Sequence, residues 1–306
     1  MTLAGNTTTG VGHGKVILLG EHAVVFGHAA VAAGLGATVR AHASPGSGGL
    51  SVPAWQLEAQ VGDDSLPGQA VARLLAELKV EKDSLDFWLE SNVPARAGLG
   101  SSAAMAVAVA RAVAARTGAG EPEVMAAVAA AESVFHRSPS GIDAAAASRG
   151  GIGRFDKQSG WQDLPLAAPF ELCIGLSGKG HDTGTEVASV QALCASTPVA
   201  RRLIEAMAEV ASAGMDALAA GDLAALARLF NLAHGLLAGI GVSTPELDDM
   251  VHTARRAGAL GAKLTGAGGG GAVIALPGGT GEPGEEILRR WRAKGYYGFV
   301  TTIGHA

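Results

Sequence analysis

Between Pro94 and Arg111 the chain reads PARAGLGSSAAMAVAVAR, a glycine loop that runs directly into a helix of small apolar residues. Gly98 and Gly100 lack a Cβ, so they can take positive φ and bring backbone amides close to a ligand, and the run after Ser102 favours helix throughout. A loop seated on a helix N-terminus faces unpaired amides and the positive end of the helix dipole, which suits phosphate. The adjacent hydroxyls of Ser101 and Ser102 add oxygen donors for magnesium. Serine before an alanine-rich helix is equally the mark of an ordinary N-cap. The loop alone therefore leaves a phosphate seat and a capped core helix both open.

The rest of the chain narrows the choice. Its 306 residues, 48% of them hydrophobic, are enough for a full core and suggest two lobes, since domains of ~100 to 200 residues are the common size. The net charge is −5 and no run of Lys or Arg would track a nucleic-acid backbone or an anionic membrane, so neither is expected as a partner. Cys173 and Cys194 stand in no CxxC or Cys/His spacing, which argues against a disulfide framework or a zinc site and fits a reducing cytoplasm. The first residues carry no basic n-region, and their apolar run breaks at Gly20, Glu21 and His22, so no signal segment or membrane span is expected there.

In chain order, KVILL at 15–19 reads as a buried strand that ends in a turn, with Lys15, Glu21 and His22 enclosed by apolar sequence. A structural reading of that cluster is a Lys15–Glu21 ion pair beside a satisfied histidine. Residues 30–43 and 85–89 read as strands, 69–79 as a short helix, and a further helix is expected from Glu121. That helix carries Glu132, and AAAESVFHRSPSGIDAAAA then turns at Ser138 to Gly141 and places Asp143 at the start of another helical stretch. From Gly150 a helix-rich second region begins. It has strands at GGIGRF and LCIGL, a polar loop at 177–186, helices at 198–219 and 222–239, and a capping box, STPE, at Ser243 to Glu246. KLTGAGGGGAVIAL at 263–276 reads as strand, glycine loop and strand, the glycines at 266 and 268–271 implying a second phosphate-facing loop. GTGEPG at 279–284 lacks the acidic residue of a dinucleotide site and reads as a connecting turn before a last helix, 284–294, and a final strand.

Phosphoryl transfer needs a phosphate cradle, magnesium on oxygen ligands, a cation near the transferring group, and a residue to orient or deprotonate the acceptor hydroxyl. The loop from Gly98 through Leu99, Gly100 and Ser101 to Ser102 can cradle, Ser102 and Glu132 can hold Mg²⁺, Lys15 can supply the cation, and Asp143 can take the proton. Met alone, Glu132 reads as a helix-end carboxylate and Asp143 as a cap. Their joint occurrence points to chemistry. No GxxxxGK[ST], HExxH or GxSxG pattern is present, which leaves a P-loop NTPase, a zincin and an α/β-hydrolase unsupported.

Four segments in order, GKVILLGEHAVVFG, PARAGLGSSAA, ESVFHRSPSGID and KLTGAGGGG, resemble the superfamily of galactokinases, homoserine kinases, mevalonate kinases and phosphomevalonate kinases over about residues 14–276, and are most similar to its mevalonate kinases. The resemblance implies a two-lobed α+β fold, residues 1–150 forming an N-terminal lobe and 151–306 a C-terminal one, with ATP in a syn-type pocket and substrate bound between the lobes. It implies ATP and Mg²⁺ as cofactors, mevalonate as the acceptor, and a monomer or homodimer. Phosphomevalonate or another small alcohol, or a non-catalytic binding relative, are the alternatives. Carried over by motif, Lys15 and Asp143 would be catalytic, Glu21, His22 and Thr183 would shape the acceptor site, and Gly266, Ala267, Gly268 and Gly269 would back the nucleotide. Two departures stand out: Arg96 occupies a position that is usually glycine, where it would weaken the phosphate grip or add a charged contact, and Arg137 with Ser138 replaces a usual Gly-Asn pair.

Overall fold

The computed structural model describes residues 6–135, 140–180, 183–279 and 283–304. In chain order the elements are β1 (Thr8–Leu19), a 3-10 turn (Ala23–Phe26), β2 (Ala30–Pro45), β3 (Gly49–Val52), β4 (Leu57–Gln60), α1 (Leu66–Glu77), β5 (Leu85–Ser91), α2 (Ser101–Thr117), α3 (Glu121–Phe135) and α4 (Ile142–Arg149). There follow β6 (Ile152–Asp156), β7 (Gly160–Asp163), β8 (Phe170–Leu176), α5 (Thr183–Ser196), α6 (Pro198–Ala220), α7 (Leu223–Gly239), α8 (Pro245–Arg256), β9 (Ala259–Thr265), β10 (Ala272–Pro277), α9 (Pro283–Arg292) and β11 (Tyr297–Ile303). Among the described residues no helix is long and apolar enough to cross a membrane.

The chain divides into two units. The first holds residues 1–14, 37–95 and 100–150; the second holds 15–36, 96–99 and 151–306. A cut at residue 150 is therefore only part of the division, because β1 and β2 each pass from one unit to the other along their length.

In the first unit the sheet order is β4-β3-β5-β2, and β2 runs antiparallel to β5 from Val39 opposite Ser91 to Pro45 opposite Leu85. Helices α1, α3 and α4 all pack on α2. Small side chains make this possible: α2 is buried from Ala103 to Val113 with Arg111 as the exception, and an all-round apolar helix belongs in a core. The first strand comes closer still. A Cβ on Gly10 would lie 2.2 Å from the carbonyl O of Ala108, and one on Gly12 would lie 2.2 Å from that of Ala104, so only glycine lets this strand reach the helix backbone. Arg111 fastens the packing, donating to the carbonyls of Val11 (3.0 Å) and Ser148 (2.9 Å) and to Glu121 (3.0 Å). Helix α1 begins earlier than its apolar period suggests because the Ser65 hydroxyl caps it, accepting from the Gly68 amide at 3.1 Å, with Pro67 in the first turn.

The second unit contains an antiparallel sheet in the order β11-β8-β10-β9. Its strands β8 and β10 pair from Leu176 opposite Ala272 to Cys173 opposite Ala275. Trp291 of α9 is fully buried in this unit's core, its indole N–H donating to the Met250 carbonyl at 2.9 Å. The start of β2, Ala30–Ala33, pairs with β6, and β6 with β7. Two local expectations change. The polar loop at 177–186 is cut short by α5, which opens at Thr183. The cap of α8 is Thr244, which accepts from the Leu247 amide at 3.4 Å, while Ser243 donates to Asp248 at 2.6 Å and Glu246 pairs with Lys179 at 2.5 Å.

Candidate functional site

In the first unit, Gly100 is the residue that precedes α2, with φ 72, and no side chain caps the helix. The first helical bond runs from the Ala104 amide to the Gly100 carbonyl at 2.9 Å, so Ser101 and Ser102 lie inside the first turn, both half-buried. The ordinary N-cap reading is thus set aside here: Ser65, Asp222 and Thr244 do cap their helices, and neither serine caps α2. Glu132 lies late on α3 and is 3% exposed. Asp143 stands in the first turn of α4 behind Gly141, whose φ of 88 turns the chain into the helix. His136 to Pro139, with the Arg137 and Ser138 departures, lie outside the described residues.

Ser102 carries a hydroxyl and Glu132 a carboxylate, so the expected ligand set would be hard and all-oxygen. No group of three or more His, Cys, Asp or Glu placed to hold a metal occurs among the described residues. Such a sparse set fits Mg²⁺, which takes one or two protein oxygens and completes its shell with water and substrate phosphates, and it does not fit zinc.

In the second unit, Lys15 is 4% exposed, and its backbone amide donates to the carbonyl of Leu99 at 2.8 Å, which fixes the strand against the glycine loop. The expected Lys15–Glu21 ion pair is not the principal one. Glu21, 2% exposed, pairs with Lys263, which is fully buried and also donates to the Leu264 carbonyl at 2.7 Å. Burial pushes the Glu21 carboxyl above its ordinary range and the Lys263 ammonium below its own, and the attraction between them opposes both shifts. His22 has φ 58, a conformation that side chains rarely take, and is 4% exposed. Its Nε2 lies 2.8 Å from the Ala267 carbonyl, and Nδ1 is buried with no hydrogen bond among the described residues. Burial holds its pKa below the ordinary value, so the ring is neutral near pH 7, with its proton on Nε2 and an open lone pair on Nδ1. Thr265 completes the tie between the strands: its hydroxyl donates to the Ile17 carbonyl (2.8 Å) and accepts from the Ile17 amide (3.1 Å).

The glycine loop has positive φ at Gly266 and at 268–271. At Gly268 to Gly270, however, the close neighbour that forbids a side chain is the protein itself. A Cβ would fall 2.3 Å from the Val242 carbonyl at Gly268, 2.3 Å from the Glu186 carboxylate at Gly269, and 2.9 Å from the Lys179 carbonyl at Gly270. Gly266 has no such neighbour; its nearest is the Gly98 carbonyl, 4.0 Å away. Thr183 opens α5, half-buried, with Glu186 in the same first turn. Arg96 is exposed, and its φ of 56 is the conformation a glycine would supply at that position. Sequence reasoning missed Lys263 and Thr265. The available signal was a lysine flanked by alanine and leucine inside a strand, which is rare without a buried partner.

Comparison with known proteins places both halves of the chain in one family. Residues 65–151 match the family described as GHMP kinases N terminal domain, and residues 215–296 match GHMP kinases C terminal. The mevalonate kinase of Aeropyrum pernix is 34% identical over 281 residues, covering 86% of each chain. That of Methanothermobacter thermautotrophicus is 33% identical, covering 91% of this chain and 93% of its own. The crystal structure of L. major mevalonate kinase in complex with R-mevalonate superposes with a TM-score of 0.86 at 30% identity, covering 100% of this chain and 99% of that one. Lactococcus lactis galactokinase shares the fold, with a TM-score of 0.80 at 18% identity. The chain belongs to the GHMP kinases, an ATP-using family, and within them to the mevalonate kinases.

Proposed function

We propose that this enzyme transfers the γ-phosphoryl group of ATP to the primary hydroxyl of mevalonate, giving 5-phosphomevalonate and ADP. The observation that carries the reading is His22, a strained, buried, neutral ring whose Nδ1 is an acceptor without a hydrogen-bond partner among the described residues, next in the chain to Glu21. An acceptor of that kind recognises a hydroxyl, and mevalonate brings a second hydroxyl besides the one that reacts. Loop amides from Gly98 to Ser102 and the N-terminus of α2 hold the phosphates. Gly266 and Ala267 back the nucleotide, with Gly268 and Gly269 shaping the loop behind them. Ser102 and Glu132 would hold Mg²⁺, which neutralises phosphate charge when bound. Asp143 accepts the proton as the C5 oxygen bonds to phosphorus and the bond to the ADP oxygen breaks, and Lys15 offsets the charge on the transferring group. Thr183 lines the acceptor site. The reduced, buried Cys173 and Cys194 suit a cytoplasmic enzyme.

An ADP-release assay over mevalonate, phosphomevalonate, homoserine and galactose tests the assignment. Mevalonate is expected to give the highest kcat/KM. A higher value for any of the others would overturn it.

A further inference from the structure

Lys263 lies in β9 between Ala262 and Leu264 and has no exposed surface. Burying an ammonium and a carboxylate together is a poor route to stability, because apolar residues of the same volume often serve as well or better. The Glu21–Lys263 pair therefore calls for a role besides holding the fold, and its surroundings supply one. Glu21 directly precedes His22, and the His22 ring is held by Ala267, four positions beyond Lys263 on the same strand-to-loop segment. One segment thus grips two consecutive residues of the turn, one through an ion pair and one through a hydrogen bond, while Thr265 between them clasps Ile17. The conformation of His22 is not one the chain adopts unaided, so the grip is what keeps the turn in shape.

We propose that Lys263 is a positioning residue for the acceptor site: without touching the acceptor, it fixes the Glu21 carboxylate and, through it, the turn that presents the His22 ring. This rests on the acceptor role of Glu21 and His22 given above. It assigns to Lys263 the KM for the alcohol and leaves the nucleotide to other groups.

The test is a cycle of three full-length variants, Lys263→Met, Glu21→Gln and the two combined, each measured for KM of mevalonate, KM of ATP, kcat and Tm. Lys263→Met is expected to raise the mevalonate KM by about 10- to 100-fold, the scale at which loss of a supporting group is felt, with the ATP KM within about threefold. Its Tm should fall by roughly 5 to 10 °C, since one buried charge loses its partner. In the combined variant, where no charge is stranded, Tm should recover, and the mevalonate KM should be no higher than in the worse single variant, because the two residues act in series. Multiplying effects would mean that Lys263 acts apart from Glu21 and would overturn the proposal. So would a Lys263→Met enzyme with lowered Tm and unchanged mevalonate KM, or one whose two KM values rise in parallel. If Lys263→Met does not fold, the combined variant against Glu21→Gln decides: equal mevalonate KM values support action through Glu21, and a further rise overturns it. Should the wild type prefer another acceptor, the mevalonate assignment falls and the same comparison is read on that acceptor's KM.

Discussion

The ring of His22 is held by the carbonyl of Ala267, 245 positions away in the chain, at 2.8 Å. A carbonyl can only accept, so this contact fixes the tautomer, and with it the acceptor character of the buried Nδ1. Asparagine tolerates the backbone conformation of residue 22 better than most residues, and its Oδ1 can stand in for Nδ1, but it is too short to donate to the Ala267 carbonyl as Nε2 does. His22→Asn is expected to keep the fold and raise the mevalonate KM several-fold, for the loss of about 0.5–1.5 kcal/mol from one neutral hydrogen bond. Steady-state kinetics with each substrate varied checks this; a change confined to the ATP KM would place the ring on the nucleotide side.

Arg96 pays a conformational cost that a glycine would not, holding φ at 56 on an exposed loop. Relief of that strain is ~1–2 kcal/mol, offset in part by the greater freedom glycine gives the unfolded chain. Arg96→Gly is therefore expected to stabilise the protein by about 0.5–1 kcal/mol. Urea melts of the two proteins are the measurement, and equal midpoints would mean that the loop relaxes around the arginine without strain.

His234 makes stability depend on pH. It is 6% exposed, its Nδ1 accepts from the Leu264 amide at 3.5 Å, and its Nε2 faces Asp248 at 3.2 Å. Burial, then the charges of Arg255 and Lys263, push its pKa from 6.5 down to about 4, against the pull of Asp248. As pH falls below 6.5 the unfolded chain takes up a proton that the native ring refuses until about pH 4, so stability falls across that window and this group contributes no slope above it. The full loss is on the order of 3 kcal/mol. Denaturation midpoints from pH 7 to pH 4 should decline more steeply for the wild type than for His234→Gln; parallel curves would refute the assignment.

How much of this was legible beforehand depended on distance along the chain. The loop and helix at 98–117 could be read because every signal is local: two glycines, two serines and a run of small helix formers. The places of Glu132, late on one helix, and Asp143, in the first turn of the next, were legible from the local sequence between them. Lys263 was not, because its partner is 242 residues away and Lys15 stood closer in sequence as a candidate. Helix α5 escaped notice because it buries only Val190 and Cys194 and so shows almost no apolar stripe. Strands β3 and β4, of four residues each, were too short to show a period after the Gly/Ser/Pro-rich run at 44–49. The glycines at 268–270 were read correctly as close approach, but what approaches them is the protein's own backbone and Glu186.

Asp143→Asn separates proton abstraction from charge placement. The amide is nearly isosteric but cannot take a proton, and general-base assistance is typically worth ~10² to 10⁴ in rate. Turnover is expected to fall by that range with ATP affinity within a few-fold. Near-normal turnover would remove Asp143 as base and leave alignment by Lys15 to carry a loose transfer. Equal loss of ATP binding would make it an organiser of the site.

The contact of Gly10 and Gly12 with the backbone of α2 bears on engineering. Where a helix is seated on side chains, its position is an average over their rotamers and drifts as they hop. Here main chain rests on main chain, with no rotamers between them, so the reference surface behind Ser101 and Ser102 is as stiff as the peptide units that form it. A single methyl added at either glycine would therefore have to push the strand off the helix, since no side chain stands between them to give way.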